Sequence, residues 1–310
     1  LLSIHIEKKV NRIASAKIII LDGEPNTGKF DASSSTTFVP GATISIEAGY
    51  DNNKAVIFSG LIMSHTIRID NLVGSALEIE CRDNAIKMIV GRKSLTFSKQ
   101  KDSDIISSII GSYSGLSSDV TATTTVWPEQ VQFYATDWDY ILALAEANGL
   151  IVTTLNGKVS VFPPDKSTTS VLTVTYGDNL LEFNAKLNAV TQLGNVAANS
   201  WDFKTQAVVN GNAAPNVSGA GNLTTKKLSE AIGLSTYQLQ TSAPLESADL
   251  TNWSKAQIIK SEYAKIMGEA KFQGTNLIDP GKYMTFAGIG DRFNGDYLIG
   301  GVVHDLSQGN

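Results

Sequence analysis

Residues 23–29 carry the pattern GxxxxGK, which in phosphate-binding loops surrounds nucleotide phosphates with backbone amides. The run follows an apolar, strand-like segment, as such a loop should. However, the next residue is Phe30, where magnesium binding requires Ser or Thr, and residues 31–37 are polar with poor helix propensity. We therefore interpret 23–29 as an ordinary loop between strands.

The other nucleophilic and metal-binding residue types are sparse. The chain has three histidines and one cysteine, Cys81, too few for a His/Cys metal cage. His65 and His304 close two similar strand patterns, a position typical of structural histidines. Residues 288–290 lack the rest of a dinucleotide fingerprint, and no nucleophile elbow or metalloprotease motif is present. We predict no catalytic residue, no metal site and no cofactor.

Two pairs of acids complete the chemical candidates. Asp137 and Asp139 are two positions apart at the start of a predicted helix, so they do not face each other, and the helix dipole accounts for them. Asp291 and Asp296 flank a predicted turn. If they formed a glycosidase pair across a cleft, the chain would be a hydrolase of cell-wall glycan, which is the first alternative function.

Composition sets the broad class. The 310 residues are enough for two or three domains, and the formal charge of −5 comes without any run of basic residues. Nucleic-acid binding through a broad basic face is therefore not expected. No apolar run reaches the ~18 residues of a membrane span. The sequence begins without methionine, so we expect it to be an internal piece of a longer protein.

A turn–strand–loop–strand unit occurs twice. The first copy begins at Pro40 and the second at Pro280, each followed by glycine. An aromatic residue follows 18 positions after the first proline, at Phe58, and 17 after the second, at Tyr297. A histidine closes each copy seven residues later. The repetition predicts two related β-units in one chain.

Residues 91–170 change to an α+β pattern. Asp102 is predicted to cap a helix over 103–111, and Thr136 to cap a second helix that ends at residues 148–149, Asn-Gly. Both helices carry apolar stripes that we assign to a core. Residues 151–162 read as a hairpin, because Asn-Gly at its centre suits a tight turn.

Strand patterns return after residue 170. We predict strands within 171–175, 183–190 and 196–201, a loop or linker over 210–222, and a helix over 247–267 ended by a glycine at 268. The second β-unit therefore carries a helical insertion, at about 210–268.

Four stretches in this order resemble the phage late control D and VgrG family, the hub proteins of contractile tails and injection machines. They are residues 39–83, 101–106, 132–150 and 279–304. The resemblance implies an α+β, mainly β fold: two related hub-type β-barrel domains with an α+β domain between them. We assign 1–90 and 171–310 to the barrels and 91–170 to the domain between.

The resemblance also implies a role. Family members trimerise, and three chains with two β-domains each form a pseudo-sixfold ring that joins a sixfold tail tube to a threefold spike. We accordingly expect a non-enzymatic structural hub. Residues on the repeated strands are the candidate subunit or tube interface: Ile44, Ile46, Phe58, Tyr283, Phe286 and Tyr297.

The expected partners follow from the same resemblance. They are two further copies of the chain, a tail tube protein, a spike or needle, and effector cargo, with a membrane met only by mechanical puncture. Assembly in the bacterial cytoplasm would precede release in an injection particle. The sequence ends before the oligonucleotide-fold and β-helical spike domains that follow many VgrG hubs, so we expect the spike either on a separate chain or in a continuation beyond residue 310. The second alternative is a secreted carbohydrate- or protein-binding β-module.

Overall fold

The structure is a computed structural model, and it describes residues 1–50, 53–70, 74–164, 169–216 and 219–307. The described chain is mainly β with four α-helices, which confirms the α+β, mainly β class. The finer division into two barrel domains and a domain between them stays a prediction.

A six-stranded antiparallel sheet dominates the N-terminal part. Its strands, in chain order, are β1 (Ser3–Lys9), β2 (Ser15–Leu21), β3 (Thr43–Tyr50), β4 (Asn53–Asp70), β5 (Gly74–Arg82) and the last strand of the chain, β19 (Gly301–Ser307). The strand order is β19-β1-β2-β5-β4-β3, and the sheet forms a half-barrel. Alternate side chains, among them Ile6, Phe58, Ile62 and Leu77, point to one buried core, as the two-residue period of a strand requires.

The last strand lies in this first sheet. Residues of β19 pair in register with β1, from Ser3 opposite Ser307 to Lys9 opposite Gly301. The sequence placed 301–307 in the second β-unit, with no indication of this pairing. One sheet therefore links the two predicted β-units.

The middle of the chain packs helices on strands. After a 3-10 helix (Asn84–Ile89), its elements are β6 (Arg92–Lys101), α1 (Asp102–Gly111), β7 (Ser117–Val120), β8 (Val126–Thr136), α2 (Asp137–Ala147), β9 (Ile151–Leu155) and β10 (Lys158–Phe162). The predicted apolar stripes of both helices lie in one core with β9 and β10. Among the strands that the structure describes, β6 pairs with β8 alone, as a two-stranded antiparallel ribbon.

Most local predictions for this region are confirmed. Thr136 caps α2 by accepting the Asp139 amide at 3.0 Å. The hairpin turn has positive φ at Asn156 (54°) and Gly157 (82°), as a tight Asn-Gly turn requires. The predicted cap of α1 is wrong. The N-cap is Lys101 without a side-chain bond, because the Asp102 carboxylate instead accepts from the side chains of Gln130 and Asn148.

A smaller β-unit follows. Its strands are β11 (Thr173–Thr175), β12 (Leu180–Leu187), β16 (Ile266–Phe272), β17 (Tyr283–Ala287) and β18 (Gly295–Leu298). They form one sheet of order β11-β17-β18 and one pair, β12-β16. Their inner faces share a core that includes Val174, Met284, Phe286 and Ile299.

The insertion contains helices, as predicted, and combines them with a three-stranded sheet. It contains β13 (Val196–Asp202), β14 (Ala207–Ala213), α3 (Thr225–Ile232), β15 (Tyr237–Thr241) and α4 (Ser247–Tyr263). The predicted loop over 210–222 is wrong in its first part, since 207–213 pairs along β13. The predicted helix end is also wrong: α4 ends at Tyr263, and Gly268 lies in β16, where a Cβ would sit 2.1 Å from the Asn184 carbonyl oxygen.

Candidate assembly surfaces

The two Pro-Gly segments form the same turn. Gly41 and Gly281, each preceded by a proline, adopt positive φ angles of 95° and 87°. In both turns, the residue after the glycine donates its amide to the carbonyl three positions earlier, at 3.0 and 3.2 Å. Glycine is required here because the second central position of such a turn needs φ above zero.

The strands that follow the turns close in the same hydrogen-bond pattern. The Gly41 amide donates to the Ile62 carbonyl at 2.7 Å, and the Gly281 amide donates to the Ile299 carbonyl at 2.8 Å. Each isoleucine amide donates in return to the carbonyl of the residue after the glycine, at 2.9 and 2.8 Å. We call this shared arrangement the turn–hairpin frame.

The residue matching proposed from sequence is shifted within this frame. It paired Phe58 with Tyr297 and His65 with His304. Phe58 precedes its closing isoleucine by four residues, whereas Tyr297 precedes its own by two. The histidines follow the isoleucines by three and five residues. The shift arises because the first hairpin is longer and contains a register change after Ile46.

The six candidate interface side chains lie in or against the chain's own cores. Four are buried: Ile46, Phe58, Tyr283 and Phe286. The other two, Ile44 and Tyr297, are partly buried and pack on the same cores. In this conformation a partner would reach their strands through backbone or exposed neighbours, and their place in an interface stays a prediction.

The chain exposes far more surface than a compact monomer would. Its accessible surface is 17286 Å², against about 12,600 Å² expected for a compact chain of this mass. Part of the excess is apolar: exposed large hydrophobic residues occur on the first sheet, on the β6-β8 ribbon and on the insertion. Extended chains with uncovered apolar side chains are typical of subunits that bury this surface in an assembly.

The most exposed aromatic pair lies in a bulge of the ribbon. The pairing of β6 with β8 shifts register between Lys93 and Leu95. Opposite this shift, Phe133 is 82% and Tyr134 64% exposed, and Tyr134 has φ of 44°. Positive φ is unfavourable for an aromatic residue, so the surroundings must hold it there. Bulges of this kind redirect side chains.

A buried polar network holds the bulge. The Asp137 carboxylate, 1% exposed, accepts from Lys93 Nζ and Tyr113 Oη at 2.6 Å each and from Gln132 Nε2 at 2.9 Å. Gln132 also donates to the Ala135 carbonyl at 3.0 Å. Burial alone would raise the pKa of Asp137, but these three donors outweigh it and lower the pKa below its ordinary value.

Arg92 completes the exposed end of the ribbon. Its guanidinium carbon lies 5.3 Å from the Tyr134 ring centroid, and Nη1 donates to the Tyr134 carbonyl at 3.3 Å. We call Arg92, Phe133 and Tyr134 the bulge tip. Exposed aromatic residues beside arginine are enriched at protein interfaces. The sequence signal for this surface is weak, namely two adjacent aromatics in one strand, which cannot both face a core; the bulge tip was therefore not among the predicted interface residues.

The residues considered for catalysis each have their own local surroundings. Residues 24–29 form a turn closed by a bridge between Glu24 and Lys29, as the loop interpretation predicted, and no helix follows. Asp296 accepts from the Thr285 hydroxyl at 2.6 Å, while Asp291 lies exposed in the preceding turn. Among the described residues, no group of three or more His, Cys, Asp or Glu side chains is arranged to hold a metal.

The two strand histidines differ in their surroundings. His65 Nδ1 lies 3.1 Å from the Phe38 carbonyl oxygen. His304 Nε2 is buried, and burial, followed by the positive charge of Lys8, lowers the pKa of His304. The His304 ring borders a cavity of about 700 Å³ whose other walls include Met284 and Phe286. In the described ranges, no helix has the length and apolar character needed to cross a membrane.

Comparison of the sequence with protein families gives one match over nearly the whole chain. A family model for the Alg8 N-terminal domain matches residues 1–308. The chain belongs to the Alg8 N-terminal domain family. No curated protein matches the chain in sequence.

Solved structures of tail proteins share the fold of this chain. One is the 43 kDa tail protein of prophage MuSo2 from Shewanella oneidensis, with TM-score 0.70, 12% identity and coverage of 99% of this chain and 90% of that one. A tail protein from Neisseria meningitidis MC58 matches with TM-score 0.69 and 14% identity, over 99% of this chain and 88% of that one. The E. coli type VI secretion component c3393, itself similar to T4 tail proteins gp27 and gp5, matches with TM-score 0.61 and 11% identity, over 99% of this chain and 70% of that one. At such identities the likeness concerns the fold.

Proposed function

We propose that this chain is a non-enzymatic, trimeric hub of a contractile injection machine, joining a sixfold tail tube to a threefold spike. The observation that carries the proposal is the turn–hairpin frame, which one chain builds twice. Three chains would then present six similar hairpins to a sixfold tube, while the chain as a whole repeats three times towards the spike. Closed rotational symmetry of this kind is the rule for oligomers.

The exposed surface supports an obligate assembly. The excess over a compact monomer is roughly 4,700 Å². Permanent interfaces bury more than ~2,000 Å² and are rather apolar. Each chain therefore has surface to spare for two neighbours in a ring.

The fold supports the setting. Phage tail proteins and a type VI secretion component share it over nearly the whole chain. Within that setting, the tube protein, the spike and any effector cargo are proposed partners. The proposed location is a particle assembled in the bacterial cytoplasm, and the proposed contact with membranes is mechanical puncture.

We further propose that the bulge tip contacts a neighbouring subunit. Light scattering after size exclusion, over a hundredfold range of concentration, tests both proposals. We expect a mass of three chains for the wild type. We expect Phe133→Ser with Tyr134→Ser to shift the protein towards the monomer while its circular-dichroism spectrum stays that of the wild type, because both side chains are exposed. Tyr176→Ser, which removes a 71% exposed aromatic from another surface, is the matched control.

Either of two results would overturn the proposals. A wild-type monomer at every concentration contradicts the trimer. A double variant that remains trimeric contradicts the bulge-tip contact but leaves the hub proposal standing.

A further inference from the structure

The three-stranded sheet of the insertion has one covered face and one open face. The strand order is β14-β13-β15. Helix α4 lies against one face, where Val196 and Ala198 are fully buried, and Gly211 allows close approach because a Cβ there would lie 2.3 Å from the Thr251 amide nitrogen. The opposite face points to solvent, and nothing in the described chain covers it.

The open face is lined with side-chain amides. The strand register places Asn210, Asn199 and Gln240 side by side in one row across the sheet. The next row holds Asn212 and Gln238 on either side of an alanine at position 197. Neighbouring strands are about 4.8 Å apart and successive rows about 6.6 Å, so the five amides form a flat grid.

These amides are largely free to bind a ligand. The one hydrogen bond among them joins Asn199 Nδ2 to Gln238 Oε1, at 3.2 Å. Within the described ranges, the side chains of Asn210, Asn212 and Gln240 make no hydrogen bond, and all three are exposed. Each amide offers two donors and an acceptor with two lone pairs. The grid therefore presents donors and acceptors at once, without a charge.

An aromatic platform continues the same face. The third row pairs Trp201 with Val208, which are 42% and 55% exposed. A half-exposed indole beside a neutral amide grid presents an apolar ring and hydrogen-bonding groups to one ligand. The three rows together cover roughly 10 by 13 Å.

We propose that this open face binds a neutral polysaccharide. A sugar chain has hydroxyl groups that both donate and accept, and apolar ring faces that pack on an indole. The eight positions of the face carry no cation, which argues against nucleic acid. Their central part lacks the aromatic, methionine and arginine residues enriched in protein interfaces. The inference requires this face to stay accessible when the chain assembles with its neighbours.

Retention of the full chain on insoluble chitin and microcrystalline cellulose tests this proposal. We expect the wild type to be retained on at least one of them and eluted by soluble oligosaccharides of the same polymer. Trp201→Ala should weaken retention about tenfold, and so should Asn210→Ala combined with Gln240→Ala. Tyr176→Ala, an exposed aromatic elsewhere, should bind like the wild type. Equal thermal midpoints establish that each variant is folded.

Two outcomes would overturn the proposal. One is no retention of the wild type on either polymer. The other is retention unchanged in Trp201→Ala, and a change of oligomeric state in that variant would then make the face a contact between copies of the chain.

Discussion

Replacement of Asp137 by asparagine tests how the bulge tip is held. The carboxylate accepts hydrogen bonds from Lys93 and Tyr113 at Oδ2 and from Gln132 at Oδ1. Asparagine keeps the size but has one acceptor oxygen and one NH₂ group. At least one of the three donors then faces another donor, and the ion pair to Lys93 is lost.

The expected loss of stability follows from these contacts. A hydrogen bond to a charged group contributes about 1.5–3 kcal/mol. Breaking a fully buried pair costs about 3–5 kcal/mol, but Lys93 is 41% exposed and can turn to water. We therefore expect Asp137→Asn to lower the free energy of unfolding by about 2–3 kcal/mol. Asp139→Asn removes an exposed acid from the same helical turn and should cost only about 0.3–1 kcal/mol.

Urea unfolding followed by circular dichroism and tryptophan fluorescence measures the difference. Hydrogen exchange provides a local readout, because the Tyr134 amide donates to Ser94 Oγ at 3.2 Å in the bulge. We expect amides 131–136 to exchange faster in Asp137→Asn than in Asp139→Asn. Equal unfolding free energies for the two variants, or unchanged exchange in the ribbon, would show that the Asp137 carboxylate does not hold the bulge.

Protonation of Asp137 at low pH should cause a loss of stability like that of Asp137→Asn. The pKa of Asp137 is lower in the folded chain than its ordinary value of 3.8. Its carboxylate therefore stabilises the fold fully above that value, and the contribution disappears as pH falls through the folded pKa. We expect the stability gap between wild type and Asp137→Asn to narrow below about pH 3.8.

Three further predictions follow from single sites. Gly281→Ala should destabilise the chain by about 1–3 kcal/mol more than Gly41→Ala in urea unfolding. The added Cβ at position 281 would lie 2.5 Å from Phe162 Cζ, whereas a Cβ at position 41 would meet no atom within 4 Å. Equal losses of stability in the two variants would contradict this. Burial, with the nearby charge of Glu80, raises the pKa of Cys81 to about 11. A thiol reagent at pH 8 should therefore label Cys81 only after unfolding. Rapid labelling of the folded chain would contradict the burial of this thiol. Burial lowers the pKa of His304, so the unfolded chain binds more protons and stability should fall as pH drops below about 6.5. His304→Gln should flatten this pH dependence, and an unchanged slope would contradict the assignment.

Local signals in the sequence predicted local structure well. The Asn156-Gly157 turn, the Thr136 cap and the apolar stripes of α1 and α2 depend on neighbours within a few residues, and the structure has all of them. The Pro-Gly turns belong to the same class, because proline and positive-φ glycine fix the chain direction at once. These turns also predicted the hairpins that follow them.

Non-local features were not predictable from such signals. The pairing of β19 with β1 joins residues about 300 positions apart, and no periodicity in either strand specifies the other. Asp102 has the residue type of a helix cap, but tertiary contacts to Gln130 and Asn148 take its carboxylate. The candidate interface residues were chosen as apolar strand positions, and apolar strand positions first fill the chain's own core.

Electron microscopy of the purified chain shows directly whether three copies form the proposed ring. The proposal predicts rings with threefold symmetry that show six similar lobes, one from each turn–hairpin frame, in negative-stain class averages. Single chains, or rings with another number of subunits, would contradict the hub account.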